Sequence, residues 1–198
     1  MPASDSDQRT TLYIAHCLIR LQAGDPAARA ELLRVANERL IQLTRNMFRD
    51  FRKLRSQEET GDVFQNAALR LCRTLETVTP QSVLEFFRLA ALQIRRELID
   101  LARHYKNRPE NKPINPHADY LAFDQKPDEL DQWREFHEHV MDMPEEERIV
   151  FDLLFYQGLK QVEAAELLNI SERTVQRRWR NGLLWLHKRL RGEVPPMN

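Results

Sequence analysis

The sequence predicts an all-α protein made of two small helical domains, and three observations carry that prediction. Glycine is scarce, at five in 198 residues, while the alanine, leucine, glutamate and arginine content favours helix throughout. Apolar residues recur at steps of three and four, and no window shows sustained period-two alternation. Pro109, Pro113, Pro116 and Pro127 break any helix between them and divide the chain. The reading is therefore an N-terminal extension over 1–23, a helical domain over 24–108, a linker over 109–135, a second helical domain over 136–192 and a tail over 193–198. With 42% hydrophobic residues, a chain of this length can bury real cores.

Each element follows from its own pattern. Asp25 caps the first long helix and Pro26 occupies its first turn, with Leu32, Val35, Leu40, Leu43 and Met47 as core candidates. A second helix runs from about Glu59 to Leu75, where Phe64, Ala68, Leu71 and Leu75 repeat at four, three and four. Its opposite side shows Asp62, Gln65, Asn66, Arg70 and Arg73. A third helix begins after Thr79-Pro80-Gln81-Ser82 and extends to about Asn107, with Phe87, Ala91, Ile94, Leu98, Leu101 and Tyr105 facing inward. Pro144 followed by Glu145, Glu146 and Glu147 opens the next helix, with anions at its positive dipole end and Val150, Leu153 and Leu154 on its apolar face.

The stretch from Gln161 to Leu190 reads as a helix-turn-helix. Ala164 and Ala165 stand where a second helix must cross closely, since larger side chains there would push the axes apart. Asn169 enters the left-handed region cheaply and starts the turn, Ile170 plugs the corner, and Ser171 caps the next helix. Val175, Trp179, Leu183, Leu186 and Leu190 then form one inward stripe. The outward face carries Arg173, Gln176, Arg177 and Arg180. Between Ser171 and Arg191 seven Lys/Arg stand against one Glu, a local charge of +6 on a chain whose total is zero. A charge run alone is most often a solvated face. Combined with the close crossing, the turn residue and the cap, it points to phosphates and to base edges in the major groove.

Two further charge blocks flank this motif. Residues 88 to 108 hold six Lys/Arg against Glu97 and Asp100, a net +4 that suits nucleic acid as well as simple solvation. Residues 124 to 147 hold ten Asp/Glu against two Lys/Arg, a net −8. That acidic run either solubilises the chain or mimics nucleic acid and shields the DNA-reading faces of the free protein.

Other classes are excluded by what the chain lacks. Cys17 and Cys72 sit alone on apolar helical faces without metal spacing, so reduced buried thiols and a cytoplasmic location are expected. No secretion signal and no run of about eighteen apolar residues is present, which argues against a membrane. His137 and His139 lie two apart on different sides of a helix and read as surface residues, so no metal is expected. Without a phosphate loop, nucleophile elbow or catalytic triad, neither a cofactor nor an enzyme is expected.

Taken together, a basic helical domain, a proline-broken linker and a terminal helix-turn-helix resemble a bacterial RNA polymerase sigma factor of the extracytoplasmic-function group. Met143-Pro-Glu-Glu-Glu-Arg-Ile-Val-Phe, Gly158-Leu-Lys-Gln-Val-Glu-Ala-Ala-Glu-Leu-Leu and Ile170-Ser-Glu-Arg-Thr-Val-Gln-Arg-Arg-Trp are similar to that family's region 4. Asp62-Val-Phe-Gln65 with Leu69-Arg70-Leu71, and Ile94-Arg-Arg-Glu-Leu-Ile-Asp100-Leu-Ala-Arg103, are similar to two helices of its region 2. Ala68, Cys72 and Arg96 depart from the commoner pattern. The resemblance implies core polymerase as a partner at Asp62, Gln65, Asn66, Leu69, Arg70 and Arg73, and promoter DNA, duplex and melted, as a second. It implies Ser171, Glu172, Arg173, Thr174, Gln176, Arg177 and Arg180 on the minus-thirty-five element, and Arg88, Arg95, Arg96 and Arg103 on the minus-ten strand. An anti-sigma factor is a further partner that such a family allows.

Two rival readings compete with this one. A one-component helix-turn-helix regulator would footprint a palindrome unaided, whereas a sigma factor needs core enzyme. An α-helical adaptor for an acidic protein would lack a steep salt dependence of DNA binding.

Overall fold

The computed structural model describes residues 5–49, 51, 54, 58–107 and 129–190. Among them the chain forms eight α-helices and no strand. These are α1 (Asp5–Gln22), α2 (Ala28–Phe48), α3 (Thr60–Thr74), α4 (Val83–Asn107), α5 (Glu129–Asp142), α6 (Glu145–Phe151), α7 (Gln161–Leu168) and α8 (Glu172–Arg189), with α6 running on into a π turn over Asp152–Tyr156. The prolines from 109 to 127 lie outside the described residues. No described helix is long and apolar enough to cross a membrane.

Local chemistry sets the corners. Gly24 at φ 81° turns the chain after α1, and the Arg20 guanidinium meets the Asp25 carboxylate at 2.6 Å across that turn. Asp25 also accepts the Ala27 amide at 2.9 Å, so Pro26 lies in the turn and α2 starts two residues later than the proline suggests. At the start of α4, Ser82 Oγ accepts the Glu85 amide while the Glu85 carboxylate accepts the Gln81 amide, two orphan donors satisfied reciprocally.

Within the segment read as an N-terminal extension, Asp5–Gln22 form α1, which packs on α2. Ile14, Cys17 and Leu18 of α1 are buried against α2, because they form a stripe at steps of three and one that the polar start of the chain obscures. In α3 the buried residues are Val63, Ala67 and Leu71, with Phe64 only partly covered, so the inward stripe is rotated by one position from Phe64 and Ala68. Both α2 and α4 pack on α3, and the inward face points between them.

α4 is the central strut. It packs on α1, α2 and α3 on one side and on α5 on the other, burying Phe86, Phe87, Ala90, Ala91, Ile94, Leu98, Ile99 and Ala102. A single apolar cluster therefore runs from Ile14 through Phe48 and Leu98 to Trp133, Phe136, Phe151 and Leu186. A second, smaller cluster of Val150, Leu153, Ala164, Ala165 and Val175 holds α6, α7 and α8 together.

Candidate nucleic-acid interface

α7 and α8 are joined by the turn that the sequence specifies. Asn169 adopts φ 51° and ψ 45°, the left-handed conformation an asparagine tolerates better than most residues. The Ile170 amide then donates to the Ala165 carbonyl at 3.0 Å, and Ser171 Oγ accepts the Thr174 amide at 3.2 Å. Ala164 and Ala165 are buried beneath Val175, which lets the two helices cross closely. Farther along α8, Gly182 is buried, and a Cβ placed there would lie 3.3 Å from the Met143 sulfur.

This packing fixes which side of α8 faces water. Arg173, Gln176, Arg177 and Arg180 are exposed, with Ser171 and Glu172 beside them and Thr174 half-buried. Together with Asn181 these residues line one open concavity of about 710 Å³. Arg178 points elsewhere, pairing with Glu146 of α6 at 2.7 Å, and so braces α8 rather than joining its outer face.

The cations of α4 are differently placed. Arg88 pairs with Glu145, Arg103 meets Glu138 at 2.8 Å, and Lys106 meets Asp131 at 2.9 Å. Only Arg96 is exposed with no ion pair recorded among the described residues. The sequence reading puts Arg95 on the outward side with the others. The structure instead leaves it 1% exposed, because α5 and the π turn cover that side of the helix. There Arg95 meets Asp152 at 2.6 Å and lies over the Tyr156 ring at 5.4 Å. Burial works against its charge, but the Asp152 carboxylate outweighs burial and holds the guanidinium above its ordinary pKa.

A third surface lies on α3. Asp62, Gln65, Asn66, Leu69 and Arg73 share one exposed face, in which Leu69 leaves 58% of its surface in water. Arg70 is half-buried at the edge of that face, 2.8 Å from Glu97 and 2.8 Å from Asp100 of α4. A family model for ECF sigma factors matches residues 12–192, which spans all three surfaces. The chain belongs to the ECF sigma factor family. As an RNA polymerase sigma factor it acts in transcription initiation and binds DNA. No curated protein sequence matches it.

Several residues that shape the sigma factor's surfaces are missed by sequence reasoning. α5 begins inside the segment read as linker, and it brings Asp131 and Glu138 to α4. Its signal is present, since Leu130, Trp133, Phe136, Val140 and Met143 recur at three, three, four and three and are all buried, but the dense acidic run hides the stripe. His137, read as a surface residue, is 1% exposed. It stacks on Phe51 at 5.2 Å and on Tyr156 at 5.8 Å, and the Tyr156 hydroxyl lies 3.3 Å from its Nδ1. Burial, aided by the Arg95 charge, drives its pKa well below the usual 6.5. His139 is half-buried beside Glu135. Cys17 is buried and Cys72 half-buried, and among the described residues no group of three or more His, Cys, Asp or Glu is placed to hold a metal.

Proposed function

We propose that this sigma factor docks on core polymerase through α3, reads the upstream minus-thirty-five element with α8, and supports strand opening with α4. The observation that carries this reading is the exposed, one-sided basic face of α8 on a correctly capped helix-turn-helix. Arg173, Gln176 and Arg177 face base edges, flanked by Ser171, Glu172 and Thr174, and Arg180 faces phosphate. Each good base-edge pair gives about 1–3 kcal/mol of discrimination.

In this reading Asp62, Gln65, Asn66, Leu69 and Arg73 touch the polymerase, and Arg70 ties that docking face to α4 through Glu97 and Asp100. Arg88, Arg96 and Arg103 hold the backbone of the melted strand, with Arg95 behind them. The loop from Glu76 to Ser82 receives an extruded base, since flipping costs a few kcal/mol and a waiting site offsets it.

Permanganate probing of promoter DNA tests the strand-opening step. Thymines in the minus-ten region become reactive only when core polymerase and this chain are both present. A palindromic duplex footprint made by the chain alone, with no reactive thymines when core is added, supports the one-component regulator instead.

A further inference from the structure

We propose that Gln22 and Arg29, on either side of the elbow between α1 and α2, are positioning residues that hold the loop from Glu76 to Ser82 against the minus-ten strand and so set which base it accepts. The inference rests on the assignment of that loop to the extruded base. Gln22 Nε2 donates to the Pro80 carbonyl at 3.1 Å, and Arg29 Nη1 donates to the Glu76 carboxylate at 3.2 Å. These bonds reach the loop at its start and past its middle, from residues 58 and 47 positions away in the chain. Among the described residues, the loop's other recorded hydrogen bonds stay within it or go to the helices it joins. The Val78 amide donates to the Thr74 carbonyl at 2.9 Å, Gln81 Nε2 to the Thr79 carbonyl at 2.9 Å, and the Gln81 amide to the Glu85 carboxylate at 2.7 Å.

What the two bonds place is the crest of the loop. Thr77, Val78, Thr79 and Gln81 are exposed there, whereas Pro80 is buried. Threonine and glutamine side chains offer both donors and acceptors to a base edge, and Val78 offers an apolar surface. Such bonds weaken steeply when distance or angle is wrong, so discrimination depends on where the crest sits. The elbow is a firm anchor for it. Gly24 turns the chain at φ 81°, and the Arg20 guanidinium closes that turn with two bonds to Asp25, at 2.6 and 2.8 Å. Gln22 is exposed and Glu76 keeps 57% of its side-chain surface in water, so neither bond adds much to the stability of the fold. Their effect falls on the loop instead. Arg29 also offsets the charge of Glu76, the one carboxylate between positions 76 and 82, which unpaired would repel the phosphates of a strand laid on the crest.

The test uses the full chain with core polymerase and a set of promoters that differ by single bases, read as initial rates of run-off transcription. A loop triple, Thr77→Ala, Thr79→Ala, Gln81→Ala, marks the minus-ten position that the crest reads. Gln22→Leu keeps the bulk and loses the donor, and it reduces the base preference at that position by about fivefold. Gln22→Glu sets a carboxylate against the Pro80 carbonyl and reduces it at least as far, whereas Gln22→Lys restores a donor and recovers most of it. All three leave the minus-thirty-five preferences and the melting temperature unchanged, which a merely structural role would not. Arg29→Ala lowers both the minus-ten preference and the yield on every promoter, and Arg29→Lys restores the yield. Arg34→Ala, which removes an exposed ion pair confined to α2, changes neither. Should Arg29→Ala lose helical circular dichroism, the Gln22 series decides alone. A preference that the loop triple flattens and Gln22→Leu leaves intact overturns the positioning role while the loop's reading stands, and so does a Gln22→Lys variant that behaves as Gln22→Leu. A loop triple with every minus-ten preference unchanged overturns that reading and the inference with it.

Discussion

Arg95 of α4 and Asp152 of the π turn stand 57 positions apart in the chain and meet at 2.6 Å, with both side chains withdrawn from water. Removing one member leaves the other charge buried and uncompensated. Asp152→Ala is expected to destabilise the protein by about 3–5 kcal/mol, whereas Arg95→Met combined with Asp152→Leu comes out near neutral. Urea denaturation of the three proteins checks this, and a loss below about 1 kcal/mol for Asp152→Ala contradicts it.

His137 adds a pH dependence to the same interface. Its folded pKa is depressed, so below the usual 6.5 the unfolded chain takes up a proton that the folded protein refuses. Stability is therefore full above that pH and falls by up to about 1.4 kcal/mol per unit as pH drops toward the folded value. Glu145, held low by its bond from Arg88, and Asp131, where Lys106 and Arg134 outweigh burial, lose their contributions only at lower pH, beneath their usual 4.5 and 3.8. His137→Gln is expected to flatten the stability profile between roughly pH 6.5 and 5. An unchanged slope over that interval, measured by urea midpoints, assigns the effect elsewhere.

Asn169 tests the turn. Its left-handed backbone costs a residue with an ordinary side chain about 1–2 kcal/mol, and glycine nothing comparable. Asn169→Ala is expected to lower the melting temperature, while Asn169→Gly holds or raises it. Equal losses in both variants would mean that the asparagine side chain, not its backbone, does the work.

The helix-turn-helix was the most legible part of the molecule because its signals are local: small residues at the crossing, a turn residue, a cap and a stripe all lie within thirty positions. Arg95 shows the opposite case. Periodicity within α4 separates an apolar side from a charged side, but it cannot say that a second layer, α5 with Asp152 and Tyr156, covers part of the charged side. His137 failed for the same reason, since the Phe51 and Tyr156 rings that enclose it come from distant segments. α5 is hidden in the sequence because the ten acidic residues of 124–147 outweigh its apolar stripe of Leu130, Trp133, Phe136 and Val140.

On α8 the exposed face predicts a divided outcome. Arg177→Ala is expected to weaken duplex binding by about 1–3 kcal/mol and relax sequence preference, while Arg180→Ala weakens all sequences alike and reduces the salt slope by about one. Titrations across salt concentrations read both effects. Identical behaviour of the two variants contradicts the division between base and phosphate contacts.

The most direct measurement is run-off transcription on a promoter library with purified core polymerase, comparing the unaltered chain with a variant carrying Asp62→Ala, Gln65→Ala and Leu69→Ala. Discrete transcripts that need both core and the unaltered chain, and that the variant fails to support although it still binds duplex DNA, are the result expected. No transcript from any promoter, together with no association between core and the unaltered chain, contradicts the account.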